Sequence, residues 1–308
     1  MKKILVIKLG ALGDFIISIG GIMRLKEVYP DAEFTLMTHR SLVSIARQMG
    51  MFSDFIIDNR TSYFNIGEHA RIAREVLSHK FDIVIDYQAN RRTRCNYYSV
   101  LRWLSSASFE WIDAVKFKKI NIEKKRAYSW GKSTVETHKV EYPRTELSFL
   151  HGENKYFGEL PERFVLMIPG CSPKHPYKRW PVHYFREIAQ RLAARGIHSV
   201  VMGTQAEAAE VEGITSDMPL AVSMLNKTSL LDIPDLVRRS IAVIGNDTGP
   251  SHIAAFSGRP NIAIFDQRTA ASITRGAQSI NLVSPSTIDL ITVDMVWEKL
   301  LPILDSAE

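Results

Sequence analysis

Gly245-Asn246-Asp247-Thr248-Gly249-Pro250-Ser251-His252 stands between an apolar run, Ile241 to Ile244, and a helix-like stretch, Ile253-Ala254-Ala255-Phe256. In order, this reads as strand, Gly-rich turn and helix start. There, backbone N–H groups without intrahelical partners and the positive end of a helix dipole converge on one place, which suits an anion. Pro250 fits the first helical position, where the N–H it lacks has no partner to lose. A phosphate-bearing ligand is the leading expectation.

Outward from this stretch, apolar runs alternate with helical patterns. In the second half the strands are expected at Phe164–Ile168, His198–Met202, Ile241–Ile244, Asn261–Phe265 and Ile280–Val283, with helices at Tyr184–Ala194, Ala206–Thr215, Ile233–Arg239 and Met295–Leu304. The first half repeats the pattern, with strands at Ile4–Leu9, Phe34–Met37, Phe55–Ile57 and Ile83–Ile85 and helices at Phe15–Val28, Leu42–Met49 and His69–Leu77. Such alternation implies βαβ units and parallel sheets. The expected fold class is therefore α/β, with two Rossmann-like domains, residues 1–150 and 162–308, joined by a Gly- and Pro-bearing linker at 151–161 and facing a cleft. Residues 112–134 carry no clear period and read as a long loop. In parallel sheets ligands bind beyond the carboxyl ends of the strands, so each loop after a strand is a candidate site.

Composition narrows the classes. The chain has 308 residues, an apolar fraction of 45% and a formal charge of +6. That length suits about two domains. Cys95 and Cys171 form no metal-ligand spacing, so free thiols in a reducing compartment are expected. Met1-Lys2-Lys3 followed by Ile4–Ile7 resembles a signal peptide, but Lys8 and Asp14 interrupt the apolar run, which reads instead as a first strand. No stretch reaches the roughly 18 apolar residues of a spanning helix, and a soluble protein is expected. Arg91, Arg92 and Arg94, then Lys116, Lys118, Lys119, Lys124, Lys125 and Arg126, form a basic series. It suits an anionic partner or is simply a solvated face. Aromatics are not interleaved with these charges in a groove-like pattern, and a nucleic-acid role is not expected.

Three loops carry the chemistry. Lys8-Leu9-Gly10-Ala11-Leu12-Gly13-Asp14 is not G-x-G-x-x-G, which weighs against a dinucleotide enzyme. Asp14 there reads either as a helix N-cap or as a general base. Pro169-Gly170-Cys171-Ser172-Pro173-Lys174-His175-Pro176-Tyr177-Lys178-Arg179-Trp180-Pro181 brings a hydroxyl at Ser172 and cations at Lys174, Lys178 and Arg179 to a strand end, a set able to cradle a diphosphate. Asp247, a like charge to phosphate, suits sugar hydroxyls or a helix cap, leaving Thr248 and Gly249 to the phosphate. His252 reads as a structural residue or a donor contact. No Asp-x-Asp and no His/Cys cluster occurs, so neither a metal site nor a cofactor is expected.

Together these loops, with Phe81-Asp82-Ile83-Val84-Ile85-Asp86-Tyr87-Gln88 and Thr137-His138-Lys139-Val140-Glu141, resemble the lipopolysaccharide heptosyltransferase family, glycosyltransferase family 9. The resemblance implies a GT-B fold and an inverting, metal-independent transfer from ADP-heptose to an anionic acceptor of the lipopolysaccharide inner core, in the cytoplasm and peripheral at the inner membrane face. It implies Asp14 as base and Lys178 as the diphosphate's counter-charge. Donor contacts are then expected from Ser172, Lys174, Asp247, Thr248, Gly249 and His252, with Glu207 on the ribose and Thr228 at the adenine; Gln205 and Glu210 compete with Glu207 for its place. Gly13, Arg91, Arg92 and Arg94 are expected at the acceptor. Gln88-Ala89-Asn90 stands where the family commonly has Gln-Gly-Asn. The alternatives are a GT-B transferase or epimerase using another nucleotide sugar, and a non-catalytic nucleotide- or glycan-binding partner.

Overall fold

The computed structural model describes residues 1–62, 65–98, 109–113, 145–272 and 276–307. The chain forms two compact units, Met1–Pro143 and Arg144–Glu308. The interval 151–161, expected as a linker, instead belongs to the second unit. Its Gly152 and Asn154 backbone N–H groups donate to Asp235 and Asp232, and Phe157 is buried.

The first unit runs β1 (Lys3–Ile7), α1 (Leu12–Met23), α2 (Leu25–Val28), β2 (Glu33–Thr38), α3 (Val43–Gln48), β3 (Phe52–Ile57), α4 (Ile66–His79), β4 (Ile83–Asp86) and β5 (Glu110–Asp113). The strands pair in parallel in the order β3-β2-β1-β4-β5. The single helix expected over Phe15–Val28 starts earlier and breaks at Arg24, one turn after the Gly20-Gly21 pair, where the Tyr87 hydroxyl donates to the Gly21 carbonyl. β5 corrects the start of the loop expected at 112–134; the rest of that loop, the basic residues 116–126 and the 137–141 motif lie outside the described residues.

The second unit runs β6 (Phe164–Ile168), α5 (Val182–Ala193), β7 (His198–Gly203), α6 (Ala208–Thr215), β8 (Ala221–Leu225), α7 (Asp232–Arg239), β9 (Ala242–Asn246), α8 (Gly249–Ala255), β10 (Asn261–Phe265), β11 (Ser279–Val283) and α9 (Val293–Asp305). Its six strands lie in the order β11-β10-β9-β6-β7-β8, all parallel, the dinucleotide-fold order read from the other side. β6 and β9 are buried at every residue, as central strands covered on both faces must be, and β6 reads as an unbroken apolar run. α5 buries Phe185, Ile188, Ala189 and Leu192, one stripe at helical spacing, in a core with Val165, Met167, Trp180, Val201 and Ile244. β8 was not expected from the sequence. β9 carries Gly245 and Asn246 inside the strand, so α8 begins at Gly249 and Pro250 is its second residue rather than its first. Among the described residues no helix is long and apolar enough to cross a membrane.

Candidate functional site

In a doubly wound sheet the strand order reverses between the first strand and its later neighbour, and the loops there diverge to leave a crevice. In the second unit that point lies between β6 and β9. Asn246, the last residue of β9 and wholly buried, spans it. Its amide nitrogen donates to the Pro169 carbonyl at 2.6 Å, and its oxygen accepts the Trp180 backbone N–H at 3.1 Å. One side chain thus closes both ends of the loop from Gly170 to Arg179. Trp180 is buried, donates its indole N–H to the Ile291 carbonyl at 2.7 Å and packs edge-on against Phe185. At Gly245 a Cβ would stand 2.6 Å from Ser251 Oγ and 2.9 Å from Ile168 Cβ. Only glycine lets α8 lie this close to the sheet.

On this frame Lys178, Asp247 and His252 come together. The Lys178 ammonium lies 2.7 Å from Asp247 Oδ2, and His252 Nε2 lies 3.4 Å from Asp247 Oδ1. Burial by itself pushes the Asp247 carboxyl up, but the bond to His252 and the charge of Lys178 outweigh it and hold the group below the usual carboxylate range. Thr248 is the N-cap of α8 without a side-chain cap bond, so Asp247 does not cap the helix. The first intrahelical bond runs from the His252 N–H to the Thr248 carbonyl at 3.1 Å, leaving the N–H groups of Gly249 and Ser251 ahead of it. Ser251 Oγ and His252 Nδ1 are buried and have no hydrogen-bond partner among the described residues. Buried polar atoms without a partner are uncommon, and these two leave capacity for a further hydrogen bond.

The flanking loops hold the remaining expected residues of this unit. Ser172 and Lys174 are exposed on the 170–179 loop. Arg179 pairs with the buried Glu210, which fixes the loop's far end to α6 and removes Glu210 as a ligand-binding acid. Gln205 Oε1 accepts from Asn226 at 3.0 Å. Glu207 holds the turn before α6 by accepting from the Thr204 N–H and hydroxyl with Oε2, and its side chain lies across Gly170, where a Cβ would come within 2.6 Å of it. Of the three candidates it is the one that lies against Gly170 at the start of the β6 loop. Thr228 is half-buried just beyond β8.

In the first unit the switch point lies between β1 and β4. Gln88 ties the loops there as Asn246 does in the second unit, accepting the Leu9 N–H at 3.0 Å. The Lys8 ammonium donates to the Tyr87 carbonyl, and Asp86 accepts the N–H groups of Gln88 and Ala89. Asp14 is the third residue of α1 and exposed; the helix starts at Leu12 after Ala11, so the N-cap reading of Asp14 is corrected. Gly13 precedes it, half-buried.

Arg92 departs from its expected place at an acceptor. It is 5% exposed, gripping Asp58 with Nε and Nη2 at 2.8 and 2.7 Å and the Thr61 carbonyl with Nη1 at 2.7 Å. Tyr97 adds its hydroxyl to Asp58 at 2.5 Å, and that carboxylate together with burial pushes the phenol well above its ordinary range. Arg91 and Arg94 are exposed beside it. Sequence reasoning missed Asp58 and Tyr97, and also Asp266 with Arg268 after β10. The available signal was an acid directly after an apolar run, which Asp58, Asp86 and Asp266 share. Among the described residues no three His, Cys, Asp or Glu side chains are grouped to hold a metal ion.

Residues 111–287 match the model of glycosyltransferase family 9 (heptosyltransferase). The chain belongs to that family. A lipooligosaccharide heptosyltransferase 2 of Haemophilus influenzae is 33% identical over 128 residues, which are 40% of this chain and 37% of that protein. A lipopolysaccharide core heptosyltransferase of the same organism is 21% identical over 86% of this chain and 79% of its own length. Among solved structures, a family 9 glycosyltransferase from Veillonella parvula superposes with a TM-score of 0.80 at 18% identity, over 99% of this chain and 98% of that one. The E. coli ADP-heptose lipopolysaccharide heptosyltransferase II does so at 0.74 and 20%, over 100% and 99%. At these identities the structural matches show the fold, the two-sheet GT-B type.

Proposed function

We propose that this chain transfers a heptose from ADP-heptose to an anionic saccharide of the lipopolysaccharide inner core, with inversion at the anomeric carbon and without a metal ion. The observation that carries the reading is the Lys178–Asp247–His252 set at the β6/β9 switch point, beside the uncapped start of α8. An ammonium has three protons, and Asp247 takes one. The other two are left for the donor's diphosphate, whose remaining charge meets the N–H groups of Gly249 and Ser251 and the Ser172 and Lys174 side of the loop. Asp247 and His252 meet sugar hydroxyls. By sheet order the nucleoside extends toward β7 and β8, with Glu207 at the ribose and Thr228 at the base.

In the transfer, the acceptor oxygen attacks the anomeric carbon from the face opposite the diphosphate. A C–O bond forms as the bond to the diphosphate breaks, and ADP leaves with the electron pair. Asp14 takes the acceptor's proton, and Lys178 with the helix start stabilises the charge growing on the leaving oxygen. Gly13, Arg91 and Arg94 serve the acceptor; Arg92 holds the segment that presents those two arginines. Location in the cytoplasm, peripheral to the inner membrane, follows from the acceptor's chemistry.

The test is Asp14→Asn with ADP-heptose and a core acceptor. It lowers kcat by about 10²- to 10⁴-fold while calorimetric affinity for ADP stays within twofold of wild type, since only the transition state needs the base. A parallel fall of ADP affinity and rate rejects the base role. Activity lost to EDTA and regained with magnesium rejects the metal-free mechanism, and tighter binding of UDP than of ADP rejects the donor.

A further inference from the structure

β10 lies next to β9 in the sheet, so the loop after it borders the Lys178–Asp247 pair on the side away from the nucleoside. There Asp266, wholly buried, accepts three bonds from one residue: the Arg268 backbone N–H at 2.9 Å, Nε at 2.6 Å and Nη2 at 2.7 Å. The guanidinium is fixed in this fork, and its central carbon sits 3.8 Å from the centroid of the Tyr177 ring. Tyr177 is the middle residue of the short turn Pro176–Lys178, and its ring also meets His175 edge-on, hydroxyl to Nδ1 at 3.3 Å. Lys178 follows directly, its N–H bonded to the His175 carbonyl at 3.0 Å.

The loop is also held from within, the His175 N–H donating to the Ser172 carbonyl at 2.9 Å and the buried Cys171 thiol to the His175 carbonyl at 3.6 Å. Asn246 ties it at its ends, Arg179 pairs with Glu210, and residues 172–176 are exposed. Among the described residues the Arg268–Tyr177 stack is the contact that holds the crest of the loop from the β10 side. A lysine side chain is flexible, and the direction of its charge depends on how firmly its backbone turn is held.

We propose that Arg268 is a positioning residue: through the Tyr177 ring it holds the turn that aims the Lys178 ammonium at the donor's diphosphate. The inference rests on the reading of Lys178 as the diphosphate's counter-charge. Arg268 is suited to the task because a planar guanidinium stacks on a ring and donates a fork of two N–H bonds to a carboxylate at once, which an ammonium does not.

Titration calorimetry of the full chain with ADP tests it. Arg268→Ala and Tyr177→Ala each weaken ADP about two- to fivefold, the size of an exposed cation–π contact. The double variant is no weaker than either alone. Tyr177→Phe, which keeps the ring, restores the affinity, whereas Arg268→Lys does not. In a Lys178→Ala background, Arg268→Ala has no further effect. An equal loss from Arg268→Ala with and without Lys178, or a Tyr177→Ala chain that binds as wild type, overturns the inference, because Arg268 then acts on the ligand itself. Arg268→Ala at wild-type affinity beside a weakened Lys178→Ala also sinks it while leaving the site reading intact. ADP binding that is absent in wild type or unchanged by Lys178→Ala removes the site reading and the inference together.

Discussion

Asp58 with Arg92 in the first unit and Asp247 with Lys178 in the second are both buried carboxylates 2.7 Å from a cation, yet their surroundings are opposite. Asp58 accepts from Arg92 twice, from the Tyr97 hydroxyl and from the Arg60 N–H, four bonds for the roughly four lone-pair sites a carboxylate has. Asp247 has Lys178 and His252, and around it Ser251 Oγ and His252 Nδ1 are unsatisfied. The side chain of Lys178 is also 18% exposed against 6% for Arg92. The first carboxylate has no acceptor capacity left, whereas the second is able to take a further donor. Burial and distance alone do not separate the two, but a count of donors and acceptors does.

The contrast is tested most severely at Asp58. Asp58→Ala strands a buried guanidinium and destabilises the first unit by about 3–5 kcal/mol in urea unfolding, while ADP affinity, measured where the chain is still folded, stays within twofold of wild type. A loss under about 1 kcal/mol makes Asp58 no more structural than a surface pair. Lys178→Ala inverts the pattern. ADP affinity falls about 10- to 100-fold, as for a charge-assisted hydrogen bond, and stability falls less than at Asp58 because His252 stays on Asp247 and water reaches the gap. If stability suffers more than binding, the pair is a fastener after all.

Acid acts on both pairs in the same direction. At Asp58 desolvation raises the carboxyl, but the bonds from Arg92 and Tyr97 outweigh it, and the group is held below the ordinary range, as Asp247 is. A depressed carboxylate contributes stability above its unfolded value of about 4 and loses that contribution as pH falls through the folded value. The stability difference between wild type and Asp58→Asn is therefore full near neutrality and narrows below about pH 4; a difference constant down to pH 2 rejects the ionic account. The smallest effect is at Arg91 and Arg94, exposed beside the buried pair. Alanine at either shifts stability by under about 0.5 kcal/mol and raises the acceptor KM without moving ADP affinity.

Much of this architecture is legible in the chain because central parallel strands are buried on both faces and spell themselves as apolar runs: Ile4–Ile7, Phe164–Ile168 and Ile262–Phe265. The strands missed, β5 and β8, lie at the outer edges of their sheets. Edge strands are covered less completely on their two faces, β8 having one fully buried residue of five, so Glu110-Trp111-Ile112-Asp113 and Ala221-Val222-Ser223-Met224-Leu225 carry no unbroken apolar run. Lys178, Asp247 and His252 were readable as neighbours since each follows a central strand. Arg92 was not, because a run of arginines looks solvated until its partner is known, and Asp58 lies 34 residues earlier. Arg268 was invisible for the same reason: stacking on Tyr177 joins two loops that share no motif.

Because Asn246 fastens Pro169 and Trp180 with a single amide, the ten residues between them form a cassette that meets its surroundings chiefly through Gly170, Tyr177, Lys178 and Arg179. Exchanging that insert between relatives, with its two anchor points and the asparagine retained, offers a route to new donor preferences that leaves the scaffold's register untouched.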